Sequence, residues 1–168
     1  TIEERALIEA DILRDGKRLM STVALNEAVV SKGSQARLIE FKLSIDGEYV
    51  YALRADGVIV ATPTGSTAYA FSARGPIVAA THRSIQLTPV SPHMLFDRSL
   101  VIDPRELVEV EVIGHRSATL SIDGQQATTL LMGDRVSVAP ARHVASFVRF
   151  GDRRFHQILK AKFGLADR

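Results

Sequence analysis

Ile39-Glu40-Phe41-Lys42-Leu43-Ser44-Ile45-Asp46-Gly47-Glu48-Tyr49-Val50-Tyr51-Ala52-Leu53-Arg54 alternates two classes of side chain on both sides of an Asp-Gly pair. Ile39, Phe41, Leu43 and Ile45 fall between Glu40, Lys42 and Ser44, and Tyr49, Tyr51 and Leu53 fall between Val50, Ala52 and Arg54. Successive side chains of an extended chain point to opposite faces, so period two marks a strand with one buried face. Asp-Gly between two such runs predicts a hairpin, because its type I′ turn needs positive φ at both central residues. The same grammar recurs in residues 7–13, Asp15-Gly16 and 19–24, and again in 118–122, Asp123-Gly124 and 127–131.

Further β segments are read at 58–61, 85–90, 100–102, 107–113, 136–139 and 144–150. Glu109 and Glu111 interleave with valines, so the strand at 107–113 shows one face to water. Helix is scarce: residues 66–73, after Pro63 and Gly65, have room for about two turns. Phe155, Ile158, Leu159 and Phe163 form one stripe of a short helix, which Gly164 is placed to end. About ten short strands with turn signals between them predict a mainly-β fold, a two-layer β-sandwich with one or two short helices.

A chain of 168 residues, 46% hydrophobic and 24% charged, is expected to be one domain with a core of its own. Zero cysteines exclude a disulfide scaffold, thiolate zinc sites and thiol catalysis, and suit a reducing cytoplasmic setting. No apolar stretch has the length of a membrane span, and a net charge of +2 gives no reason to invoke nucleic acid or a membrane surface. No two of the five histidines stand at i, i+4, and no Gly-x-Gly-x-x-Gly or P-loop follows a strand.

Two segments break the structural grammar. Asn26-Glu27 interrupts the apolar run Val23-Ala24-Leu25 … Ala28-Val29-Val30. A buried amide and carboxylate need dedicated partners, and a turn or bulge accounts for the pair equally well. Thr62-Pro63-Thr64-Gly65-Ser66-Thr67-Ala68-Tyr69 leads from a short apolar strand into a helix start with five hydroxyls. Such a loop offers N–H and O–H donors to an anion, or its hydroxyls simply cap the helix.

Together these segments resemble the C-terminal domain of bacterial NAD kinases. Leu25-Asn26-Glu27, Asp56-Gly57 and the Thr62–Tyr69 octet come in that family's order. Ser72-Ala73 with Gly75-Pro76, Leu87-Thr88-Pro89-Val90 with Pro92-His93, and Asp123-Gly124-Gln125 extend the likeness from about Leu7 to Phe163. The resemblance implies phosphorylation of the adenosine ribose 2′-hydroxyl of NAD by ATP, with Mg²⁺ arriving on the ATP phosphates. It implies that Asn26 and Glu27 hold the ribose and that Asp56 accepts from an amino or amide group. It also implies that Thr67, Ala68, Tyr69 and Ser72 line the base and ribose pocket, with Arg37, Arg54 and Gln125 as further dinucleotide contacts.

The family's catalytic Asp lies in a Gly-Gly-Asp-Gly motif of an N-terminal α/β domain. No Gly-Gly pair occurs here, so this domain is expected to be absent and the chain inactive alone. Assembly as a homodimer or homotetramer is implied too, with Tyr49, Tyr51, Met94, Leu95 and Phe96 as the apolar surface. A lipid or sphingoid kinase relative, or a standalone nucleotide-binding or oligomerisation module, are the alternative readings.

Overall fold

The computed structural model describes residues 1–34, 37–151 and 153–164. Twelve strands form in chain order: β1 (Ile2–Arg14), β2 (Lys17–Ala24), β3 (Glu27–Ser31), β4 (Ile39–Ile45), β5 (Glu48–Ala55), β6 (Gly57–Ala61), β7 (Ile85–Val90), β8 (Leu100–Ile102), β9 (Val108–Val112), β10 (Ala118–Ile122), β11 (Gln125–Leu130) and β12 (Arg135–Val148). They make two six-stranded sheets, β2-β1-β12-β9-β4-β5 and β11-β10-β3-β6-β7-β8. The pairings are antiparallel. Among the described residues, no helix is long and apolar enough to cross a membrane.

The sheets meet over one core. Ile8 and Ile12 of β1, Ile39, Phe41 and Leu43 of β4, and Val108, Val110 and Val112 of β9 pack against Val30, Val58, Val60, Ile85, Leu87 and Leu120 of the second sheet. Full burial of each such side chain is worth about 1.5–3 kcal/mol. The three hairpins predicted at Asp-Gly are all present. Both turn residues have positive φ in each: Asp15 and Gly16 at 50° and 75°, Asp46 and Gly47 at 50° and 80°, Asp123 and Gly124 at 48° and 81°.

Two expectations are revised. The segments at 136–139 and 144–150 are one strand, β12, bent where its pairing with β1 slips between Ala6/Val144 and Ile8/Pro140. Pro140 lacks an N–H and sits at that irregularity, where a ladder bond is not required. Beyond it, residues 2–6 and 144–148 pair as a two-stranded arm, so β1 is longer than its periodicity suggested. The helix expected at 66–73 is divided into a 3-10 turn over Thr64–Thr67 and a single α-turn, α1 (Tyr69–Ser72). Ala68, at φ −102° and ψ −127°, breaks them apart. The terminal helix α2 (Phe155–Phe163) forms as predicted, ends on Gly164 at φ +61°, and stacks Phe163 on Phe71 at 4.7 Å.

Asp134 ties three elements. Its carboxylate takes a bidentate pair from Arg14 at 2.8 and 2.7 Å and the Leu131 N–H at 2.8 Å, and the residue is 1% exposed. The Arg14 hydrogen bonds, helped by Leu131, hold this carboxyl below the usual carboxylate range. Its stabilising effect is therefore complete above the unfolded value of ~3.9 and is lost as pH falls through the lower folded value. Asp134→Ala is expected to cost about 2 kcal/mol in urea denaturation, within the range for stranding buried donors. An unchanged midpoint would show that these bonds carry no net stability.

Candidate functional site

The site begins with a carboxylate that sequence reading assigned to a turn. Asp123 opens the β10–β11 hairpin, and its side chain accepts three consecutive backbone N–H groups: Leu25 at 2.8 Å, Asn26 at 2.7 Å and Glu27 at 3.0 Å. Its own N–H donates back to the Glu27 carbonyl at 3.0 Å. The polar pair is thus fastened between β2 and the first residue of β3. Asp46 uses the same device in another Asp-Gly turn, accepting the Leu107 N–H at 2.8 Å.

The hydroxyl-rich octet locks onto the same backbone. Thr62 N–H donates to the Asn26 carbonyl at 2.9 Å, and Thr62 Oγ1 donates to the Leu25 carbonyl at 2.5 Å while accepting the Gly65 N–H at 3.1 Å. Gly65 lies so close that any Cβ would collide with the Asn26 carbonyl group. Buried Ser66 bonds the Pro63 carbonyl at 2.7 Å and exchanges bonds with Val78 at 3.1 and 2.9 Å. Thr62 and Ser66 therefore serve structure; Thr64 and Thr67 stay half-buried at a hollow of about 170 Å³ shared with Arg5, Arg149 and Lys162.

Glu27 is 5% exposed and its Oε2 is buried without a hydrogen-bond partner. Burial, reinforced by the neighbouring Asp123 charge, pushes its carboxyl up to about 7, against a lowering bond from the Tyr69 N–H. That N–H is available because the Ala68 break starts a new helical turn at Tyr69. On the far side of α1, Tyr69 and Ser72 line a groove of about 350 Å³ with Arg74, Pro89, Val90, Pro92 and Asp97. Asp56 does not line it: its N–H donates to the carbonyl of the lining residue Val90 at 3.0 Å, and its carboxylate meets Lys32 Nζ at 2.8 Å. Lys32 was not foreseen.

The structure therefore brings Asn26, Glu27, Ala68 and Tyr69 together, with Thr67 and Ser72 on the two flanks. Glu27 pairs with Ala61, and Ser31 with Gly57, so Asp56 lies about five residues along β3, ~17 Å from the Asn26-Glu27 end. Gln125 follows the Asp123 bracket at the exposed start of β11. Arg54 stands on the first sheet, paired with Glu40 at 3.2 Å, in a separate hollow with His115 and Arg116. Arg37 is exposed and lies outside both hollows that flank the turn.

With this geometry in view, comparison with known proteins is specific. The sequence profile of the ATP-NAD kinase C-terminal domain matches residues 25–150. An NAD kinase of Acidobacterium capsulatum is 41% identical over 168 residues, covering 99% of this chain and 59% of that protein. An NAD kinase of Heliobacterium modesticaldum is 43% identical over 162 residues, covering 96% of the chain and 57% of that protein. Among solved structures, yeast NADH kinase complexed with NADH superposes with a TM-score of 0.79 at 32% identity, covering 83% of this chain and 41% of that one. An NAD kinase from Archaeoglobus fulgidus in complex with ATP gives 0.74 at 28% identity, covering 88% and 55%. The chain thus spans less than three-fifths of the two bacterial relatives, 59% and 57%, and 41% and 55% of the two solved chains.

The bracket makes a direct prediction. Asp123→Ala should expose the Leu25, Asn26 and Glu27 amides to rapid hydrogen exchange, while Asp123→Asn, keeping one acceptor oxygen, exposes them less. Unchanged protection in both variants would remove the role assigned to this carboxylate.

Proposed function

The chain belongs to the ATP-NAD kinase family, as a member of its C-terminal domain, and from that premise we propose that it is the dinucleotide-binding part of an NAD kinase. The complete enzyme would transfer the γ-phosphoryl of ATP to the 2′-hydroxyl of the adenosine ribose of NAD, yielding NADP. One observation carries this reading: a half-buried amide and a buried carboxyl, Asn26-Glu27, stand on a backbone stretch, residues 25–27, whose three N–H groups are all held by Asp123, beside the Tyr69 turn. A ribose diol needs both donors and acceptors at fixed positions, which this pair supplies. The ligands of the two structural neighbours, NADH in one and ATP in the other, belong to the same chemistry.

In this reading Asn26 and Glu27 bind the adenosine ribose. Tyr69 offers a flat face to the base, with Thr67, Ala68 and Ser72 beside it. Asp56, braced by Lys32, accepts from an amino group. Gln125, Arg54 and Arg37 make outer contacts with the dinucleotide. Mg²⁺ would enter bound to the ATP phosphates, and no step is assigned to it.

Phosphoryl transfer depends on positioning and charge neutralisation, and no base for the 2′-hydroxyl is assigned within this sequence. That role falls to a Gly-Gly-Asp-Gly segment outside it. We place the enzyme in the cytoplasm and assign it a homodimeric or homotetrameric state. Tyr49, Leu95 and Phe96 are exposed, Phe96 against the core-packed Tyr51 with ring centres 6.0 Å apart, and these apolar side chains suit a second copy.

Calorimetry with NAD tests the site. Asp56→Ala should weaken binding by about 1–3 kcal/mol, roughly 5- to 150-fold, the range for losing a charged acceptor. Equal affinity would remove Asp56 from the pocket. Incubated with ATP, Mg²⁺ and NAD, the chain alone should form no NADP. Light scattering should give a mass above the 18.4 kDa of one chain.

A further inference from the structure

We propose that Glu27 is a proton-exchanging binding group: it rests as a neutral carboxylic acid without ligand and ionises when a bound diol donates to its Oε2, so that dinucleotide binding releases one proton to solvent. The inference rests on the nucleotide-binding reading above and adds a linkage that the reading does not contain.

Two carboxyl groups share this corner, and the backbone treats them unequally. Asp123 accepts three N–H groups within 3.0 Å. Glu27 accepts the single Tyr69 N–H, and its Oε2 is enclosed with no donor. A second negative charge placed there would face the first with one oxygen bare, at a cost that a proton on Glu27 avoids.

Among the described residues, no cation bears on this carboxyl. β6 presents Ala61 as the partner of Glu27, and Thr62 beyond it commits its hydroxyl to Leu25. α1 contributes the Tyr69 N–H, and the β10–β11 turn contributes Asp123, the charged side chain that bears on this carboxyl. A ligand hydroxyl that donates to Oε2 supplies the missing hydrogen bond and favours the carboxylate. The hydroxyl keeps its own proton, and the proton lost from Glu27 passes to buffer.

The sign follows from linkage. Without ligand the carboxyl is mostly protonated below about 7, and protons then compete with the diol. Affinity should rise with pH and be about tenfold weaker at pH 6 than at pH 8, levelling off above that.

The test uses the 168-residue chain and NAD. Carbon-detected NMR of the side-chain carboxyls should show one glutamate titrating near neutrality, absent from Glu27→Gln, and moving down by about two units or more when NAD saturates the protein, as the tenfold change requires. Calorimetry in buffers of different ionisation enthalpy should report most of a proton released at pH 6 and little at pH 8.5. Glu27→Gln should bind with no such pH dependence. If that variant fails to fold, the wild-type titrations still decide. A Glu27 carboxyl that titrates near 4 while NAD binds without proton release overturns this inference and leaves the nucleotide-binding reading standing. No NAD binding at pH 8 removes that reading, and this inference with it.

Discussion

A sheet covered on both faces sets the terms for this molecule. The second sheet meets the first across the shared core, while Val29, Ile59 and Ala61 on its outer face pack under Ala70 of α1. β6 is consequently buried at every residue and reads as an uninterrupted apolar run. Covering that face with a chain segment instead of a long helix demands close backbone approach. Gly65 against the Asn26 carbonyl and Gly75 against Gln86, Thr88 and the Ala70 carbonyl supply it. The segment's buried polar groups must then be satisfied locally, as Thr62 and Ser66 are.

That requirement explains why site and fold meet at one place. The bonds that pin the octet to the sheet end on the carbonyls of Leu25 and Asn26, and the bonds that pin the 25–27 stretch end on Asp123. A hairpin turn, a strand start and a helical break are thereby locked in mutual register. Rigid support of this kind places binding side chains without further ordering cost when a ligand arrives.

Legibility in the sequence followed the range of each interaction. The hairpins were readable because Asp-Gly encodes its own backbone geometry, whatever the rest of the chain does. Asn26-Glu27 stood out because two polar residues inside an apolar run contradict their surroundings. The Asp123 bracket was not readable: a turn already accounts for Asp-Gly, and its partners lie almost a hundred residues earlier. Nor was the break at Ala68, since alanine favours helix and the interruption comes from tertiary anchoring on both sides. β12 was divided because Pro140 ends a strand by local rule, whereas a bulge accommodates it here.

The division of labour within Asn26 is the final consequence. Its N–H is given to Asp123, its carbonyl takes the Thr62 N–H, and its backbone leaves no room for a Cβ on Gly65. Structure therefore claims the main chain of this residue on three sides and sets the direction in which its side chain leaves. Glu27 is treated the same way: both its backbone groups bond to Asp123, and its carboxyl is turned against the Tyr69 N–H. Asp123, Thr62 and Gly65 thus hold this corner through its main chain, by hydrogen bonds and by close approach.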